Sequence, residues 1–364
     1  MEDIRICDFR TEFDMLTVKH ITVERIIIMI NNASIYEQLT SLPYLPTYMQ
    51  LMQGAIELEV FSQLENYVTA EDLSQKMNWD DGNTFNLLKG LYSLGYLERK
   101  GDAFKNMPEA SKYLVNGKPS YMGGILHFFY NNPGMTPGDV AHQVKEGPMP
   151  MQETQKSMDY AAYGESMREA QSGIRQQELL DIIRSLPENK SIKRILDLGC
   201  GAGCFGIAAV QDVPGRTGVI FDMPSMRSIM EETVELSGMQ DRISIKTGDF
   251  NKDDIGGAYD LIICSAIMLF AIPKGKDFFA KLKEGLNPGG VVLCLNEGIE
   301  SDYSGPWDMV MGFMTFNLQG VPMGVIKGQV ADAATAGGFN SIENRSILLG
   351  TITKIGRASC RERV

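Results

Sequence analysis

A short apolar run that ends in three alternating glycines constrains this chain more than any other feature. It reads Ile195-Leu-Asp-Leu-Gly199-Cys-Gly201-Ala-Gly203 and leads directly into a helix-forming segment. Glycine tolerates the backbone angles of a tight strand-to-helix turn and lets the main chain approach a ligand, while the helix start offers free N–H groups. The spacing is D-x-G-x-G-x-G, beginning at Asp197. A G-x-G-x-x-G fingerprint would need glycine at 204, where the chain has Cys204, so the turn needs no pyrophosphate and suits a ligand with a carboxylate and an ammonium group.

Around this turn, apolar runs at 195–198, 218–221, 243–246, 261–264, 291–295 and 342–349 alternate with helical patterns at 206–211, 224–237, 276–286 and 328–336. Such alternation implies an α/β domain with a Rossmann-like, doubly wound, mostly parallel sheet. Asp222 closes the second strand, nineteen residues beyond Gly203, where a carboxylate can accept both hydroxyls of a ribose. Gly248-Asp249-Phe250 follows the third strand and offers a carboxylate and an aromatic face to an adenine. Three such features at consecutive strand ends converge on one site at the carboxyl edge of the sheet.

Upstream, residues 1–46 read as an irregular arm ending in Leu42-Pro-Tyr-Leu-Pro46. An amphipathic helix is expected over 47–64, a second helix from Thr69 through Met77, and a third opened by Asp80 and Asp81. A Lys100-Gly-Asp102 turn then joins two extended pieces, completing a winged-helix module over 47–115. Its third helix opens on acids and holds one cation, Lys89, which favours packing or dimerisation over DNA binding. Residues 116–190 read as a helical linker roofing a pocket, and 191–354 as the α/β domain.

Composition narrows the field further. With 44% hydrophobic and 22% charged residues the chain is an ordinary globular one, and its formal charge of -12 repels phosphate backbones and anionic lipid. No apolar stretch reaches the roughly 20 residues of a membrane span, and the start lacks a secretory signal, so a cytoplasmic location is expected. Six cysteines without a C-x-x-C pair, beside three histidines, fit neither a disulfide framework nor a zinc site, and no metal is expected. Residues 355–364 read like the translation of a sequencing adaptor and are set aside.

At this point the chain resembles the class I S-adenosylmethionine (SAM)-dependent methyltransferases, in particular the small-molecule O-methyltransferase group with an N-terminal winged-helix dimerisation domain. The resemblance rests on residues 196–203, Phe221-Asp-Met-Pro224, Gly248-Asp-Phe250, Asn287-Pro-Gly-Gly290, Asn296-Glu297 and Ala336-Gly-Gly-Phe339. It implies a SAM site built from Asp197, Gly199, Gly201, Gly203, Asp222, Met223, Asp249 and Phe250, with Tyr163 and Met167 packed over the cofactor. It also implies a homodimer and a substrate pocket drawing on Met268, Phe270, Trp307, Met311 and Met314.

One departure bears on mechanism. Where members that methylate hydroxyls carry a histidine base, this chain reads Ile267-Met268-Leu269-Phe270, and methionine takes no proton. His127, in the roof, and Glu297, at a strand end, are the remaining candidates for a catalytic base. The expected activity is methyl transfer to an oxygen, sulfur or carbon atom of a small molecule. The alternatives are SAM-dependent chemistry of another kind, such as hydroxylation or decarboxylation, or a SAM-binding regulator.

Overall fold

The computed structural model describes residues 34–131, 135–148, 160–321, 323–347 and 350–356. Its described residues fall into two compact units, one ending at Lys118 and the other beginning at Pro119. In the first, Ser34 caps α1 (Ile35–Ser41), and α2 (Leu45–Glu57) and α3 (Val60–Gln63) follow. The single helix expected over 47–64 is thus two, because Glu59 adopts a left-handed conformation (φ 50°) and turns the chain between them. After the short strand β1 (Val68–Thr69) come α4 (Ala70–Met77) and α5 (Asp81–Ser93), started where the sequence places them. The Thr69 and Asp80 side chains accept the backbone N–H groups of Asp72 and Asn83. The hairpin β2 (Leu97–Lys100) and β3 (Ala103–Asn106) adds to β1 in the order β1-β3-β2, and α6 (Pro108–Tyr113) ends the unit. Phe61, Leu64, Leu73, Leu88, Leu91 and Phe104 form its fully buried core.

In the second unit α7 (Gly123–Asn131), α8 (Pro137–Glu146), α9 (Tyr160–Gln171) and α10 (Ile174–Ser185) precede the sheet. The sheet strands are β4 (Arg194–Leu198), β5 (Thr217–Asp222), β6 (Ile243–Thr247), β7 (Tyr259–Ser265), β8 (Leu286–Asn296), β9 (Ser341–Ile347) and β10 (Gly350–Gly356). Between them lie α11 (Cys204–Gln211), α12 (Arg227–Ser237), α13 (Met268–Ala271), α14 (Gly275–Gly285), α15 (Trp307–Gly312), α16 (Met314–Leu318) and α17 (Gln329–Ala336). The spatial order is β6-β5-β4-β7-β8-β10-β9, parallel except for β10, which runs antiparallel to both neighbours. The run at 342–349, expected as one strand, contributes β9 alone. Ile355, set aside with the tail, is fully buried in β10 opposite Val292, and residues 357–364 lie outside the described residues.

Apolar side chains cover both faces of this sheet, Ile195, Ile220, Leu261 and Leu293 on one and Leu196, Phe221, Ile262 and Val292 on the other. One cation is built into the core. Arg216, fully buried, donates to the carbonyls of Ala209 at 3.0 Å, Asn189 at 3.0 Å and Ile192 at 3.3 Å, and to Asn189 Oδ1 at 2.6 Å. Arg216→Met keeps the bulk but strands those oxygens, so it should lower stability by about 2–4 kcal/mol in urea titration. An unchanged midpoint would show that water replaces the guanidinium. Cys200, Cys204, Cys264 and Cys294 are buried and unbridged.

Candidate functional site

Because β5 and β6 extend the sheet on one side of β4 and β7 begins the other, the carboxyl end of β4 is a topological switch point, where open α/β sheets hold their ligands. The glycine turn sits there. Gly199 and Cys200 both donate to the Phe221 carbonyl, at 2.8 and 3.1 Å, which ties the turn to the end of β5. Gly199 has φ 65°, and a Cβ there would collide with Ile267, so no other residue fits the turn.

Asp222 reaches across to this turn. One carboxylate oxygen accepts the Gly201 N–H at 2.6 Å and the other accepts the Met223 N–H at 2.7 Å. A carboxylate has about four lone-pair sites, so both oxygens keep capacity for a ligand's hydroxyls. Asp197 lies deeper, 1% exposed, and accepts the Gly206 N–H at the start of α11 at 2.7 Å. Its other oxygen has no partner among the described residues. Burial, reinforced by the charge of Asp222, pushes the Asp197 carboxyl up to about 7, and burial raises Asp222 as well.

Neither carboxylate forms an ion pair among the described residues, so once both are ionised, above about pH 7, the space behind the turn holds negative charge that a bound cation would relieve. The sign of the effect on stability is fixed by the raised acid. An unfolded Asp ionises near pH 4, whereas Asp197 holds its proton in the fold until near pH 7, so stability declines as pH rises through that window. Asp197→Asn keeps an acceptor for Gly206 and removes the decline. Its Tm at pH 8 should exceed that of the parent by roughly 5 °C or more, with little difference at pH 4. Equal Tm values at pH 8 would place the Asp197 carboxyl in its ordinary range.

The third strand end closes the same edge. Gly248 donates to the Asp222 carbonyl at 3.0 Å, and Asp249 accepts from Asn251 at 2.9 Å and pairs with Lys252 at 2.8 Å. The Lys252 ammonium holds the Asp249 carboxyl below the usual range. Phe250 packs edge-on against Phe278 with ring centroids 5.9 Å apart. Over the turn lies α9. Met167 is half-buried, Gln171 Nε2 donates to the Cys200 carbonyl at 3.0 Å, and the Cys204 thiol donates to the Arg168 carbonyl at 3.7 Å. Gln171 went unread in the sequence, although it lies one helical turn beyond Met167 and so on the same face. The side chain of Tyr163 lies outside the described residues.

The other predicted residues are dispersed. Glu297, at the end of β8, is 7% exposed, and burial raises its carboxyl. Its Oε2 has no hydrogen-bond partner among the described residues. Met268 is fully buried among Phe278, Val330 and Ala334 in the core, whereas Phe270, two residues on, is 56% exposed. Trp307 and Met311 on α15 are exposed and Met314 on α16 is half-buried. His127 lies on the exposed side of α7 with Nε2 2.8 Å from Asn131 Nδ2.

The sheet order, the glycine turn and the carboxylate closing β5 are those of a doubly wound enzyme that binds its ligand at the switch point. The profile of the O-methyltransferase domain family matches residues 147–329, half of the 364-residue chain. The chain belongs to this family and is a SAM-dependent methyltransferase, with SAM as its methyl donor. Among its relatives, a 3-hydroxy-5-methyl-1-naphthoate 3-O-methyltransferase of Streptomyces sahachiroi is 26% identical over 274 residues, covering 74% of this chain and 79% of the relative. The acetylserotonin O-methyltransferase of Rattus norvegicus is 24% identical over 317 residues, covering 81% and 71%. The crystal structure of human N-acetylserotonin methyltransferase in complex with SAM has the same fold, with TM-score 0.74 at 19% identity over 90% of this chain and 99% of that one.

Proposed function

We propose that this enzyme methylates a small, aromatic or otherwise apolar acceptor in the cleft at the carboxyl edge of its sheet. The observation that carries the reading is the Asp222 carboxylate, held 2.6 Å from the Gly201 N–H where the glycine turn meets the end of β5. In this reading Asp222 takes the ribose hydroxyls of SAM, Asp249 and Phe250 take its adenine, and the turn at Gly199, Gly201 and Gly203 takes the methionine moiety under Met167. The unpaired charge of Asp197 and Asp222 suits a ligand bearing sulfonium and ammonium groups. When bound, SAM supplies an electrophilic methyl group. The relatives that act on a naphthoate and on acetylserotonin support an aromatic acceptor, and Phe270, Trp307, Met311 and Met314 offer it apolar contacts.

The protein's own contribution is orientation and exclusion of water, with the acceptor lone pair in line with the bond that breaks. Among the two candidate bases Glu297 is the stronger, because its buried, unpartnered Oε2 can take the proton an acceptor loses. His127, exposed beside Asn131, is the weaker. Incubation with labelled SAM and a panel of phenols, thiols and metalloids tests the reading by which acceptor becomes labelled. Label on none of them, with SAM bound, would refute it.

The active form is in this reading a cytoplasmic homodimer joined through the N-terminal unit. Ile35, Tyr36, Leu39, Leu42 and Tyr44 are all more than half exposed, an apolar surface that a second copy would cover. Light scattering should give twice the chain mass at micromolar concentration, and a monomer there would refute the assembly.

A further inference from the structure

The first turn of α7 is built around a side chain from another helix. Glu169, on α9, accepts the Ile125 N–H at 3.1 Å and also the backbone N–H of Gly124. A Cβ on Gly124 would lie 2.5 Å from Glu169 Oε1, so the carboxylate occupies the space that any other residue at 124 would fill. A helix start presents unpaired N–H groups and partial positive charge, and α7 has no acid in its own first turn. Glu169 therefore supplies the cap from outside. On the same helix, within a turn of Glu169, Met167 and Gln171 abut the glycine turn at Gly201, and Arg168 receives the Cys204 thiol. One helix thus touches the SAM-side loop and holds the start of α7, which exposes Leu126, His127 and Phe129.

We infer that Glu169 is a positioning residue, clamping the start of α7 to α9 so that occupancy of the glycine turn orders α7, and that the exposed Leu126, His127 and Phe129 of α7 serve the methyl acceptor. The inference rests on the proposed SAM site, and it goes beyond that site in coupling donor binding to acceptor binding. Ligand binding that orders a second element lowers the cost of the next binding event, so SAM would raise acceptor affinity without touching the acceptor.

Hydrogen–deuterium exchange of the full-length protein with and without SAM tests this. In the parent, SAM should slow exchange both at 199–206 and at 123–131. In Glu169→Ala, which removes both hydrogen bonds, protection at 199–206 should persist while that at 123–131 falls at least tenfold, each charge-assisted bond being worth about that much. Glu169→Gln, whose amide oxygen still accepts from Ile125, should recover most of it, and Gly124→Ala, which displaces the carboxylate, should behave like Glu169→Ala. Where an acceptor is in hand, Glu169→Ala should raise its KM about tenfold and leave kcat within twofold. The clamp is refuted if SAM leaves 123–131 of the parent unprotected, or if Glu169→Ala keeps the parent's protection there. Absence of SAM protection at 199–206 in the parent would instead refute the proposed SAM site.

Discussion

Replacing Asp222 by alanine is expected to weaken SAM binding by about 1.5–3 kcal/mol, a factor of roughly 10–150 in Kd. Two losses combine in that figure. The hydroxyls of the ribose lose a charged acceptor, and the Gly201 and Met223 N–H groups lose the oxygens that hold them at 2.6 and 2.7 Å, so the glycine turn is loosened. Titration calorimetry at pH 8, where the carboxylates are ionised, measures the effect directly. Asp222→Asn keeps one acceptor and should fall between the parent and the alanine variant. A Kd unchanged in Asp222→Ala would remove this residue from the site.

The second large effect concerns the acceptor. With Met268 in the core where a histidine base would be expected, an acceptor that must lose a proton depends, in the proposed mechanism, on Glu297 or, more weakly, His127, or ionises by itself. For a phenol, pKa near 10, Glu297→Gln should therefore lower kcat/KM by roughly 10²–10⁴-fold, the usual worth of a general base. For a thiol, whose ordinary pKa is near 8.5, the same substitution should cost less than about threefold, and the pH–rate profile should follow the thiol's own ionisation. The two acceptors thus separate base catalysis from a structural defect, which would slow both alike. Rapid methylation of a neutral phenol at pH 7 that survives both Glu297→Gln and His127→Ala would overturn this account of how the nucleophile is activated.

Local chemistry made much of this architecture readable. Thr69 and Asp80 announce helix starts because their side chains satisfy N–H groups within three residues of themselves, and the glycine turn announces itself because its backbone angles favour glycine. What escaped depends on distant partners. Glu169 and Gln171 are ordinary polar residues on a helix until α7 and the Cys200 carbonyl come to meet them. Met268 and Phe270 carry the same apolar signal, yet one enters the core and the other faces out. The break at Glu59 turns on a left-handed conformation that a glutamate does not advertise. The run at 342–349 announced β9, but its partner β10 was missed because the last residues of that strand, Ile355 and Gly356, were set aside with the tail.

The place of β10 has a consequence for how the protein is made. Synthesis delivers β8 about fifty residues before β10, yet β10 is the strand that lies against it, interposed between β8 and β9. While a ribosome is still translating that interval, β8 has β7 on one side and an unpaired edge on the other, the kind of edge that pairs with other nascent chains. Glu297 and Asn296, at the end of the same strand, gain their final surroundings only when Thr351 arrives opposite Asn296. With Glu297 in its proposed role, catalytic competence is acquired late, and a chain stopped at residue 349 should accumulate in chaperone complexes or inclusion bodies instead of emerging as a weakened enzyme.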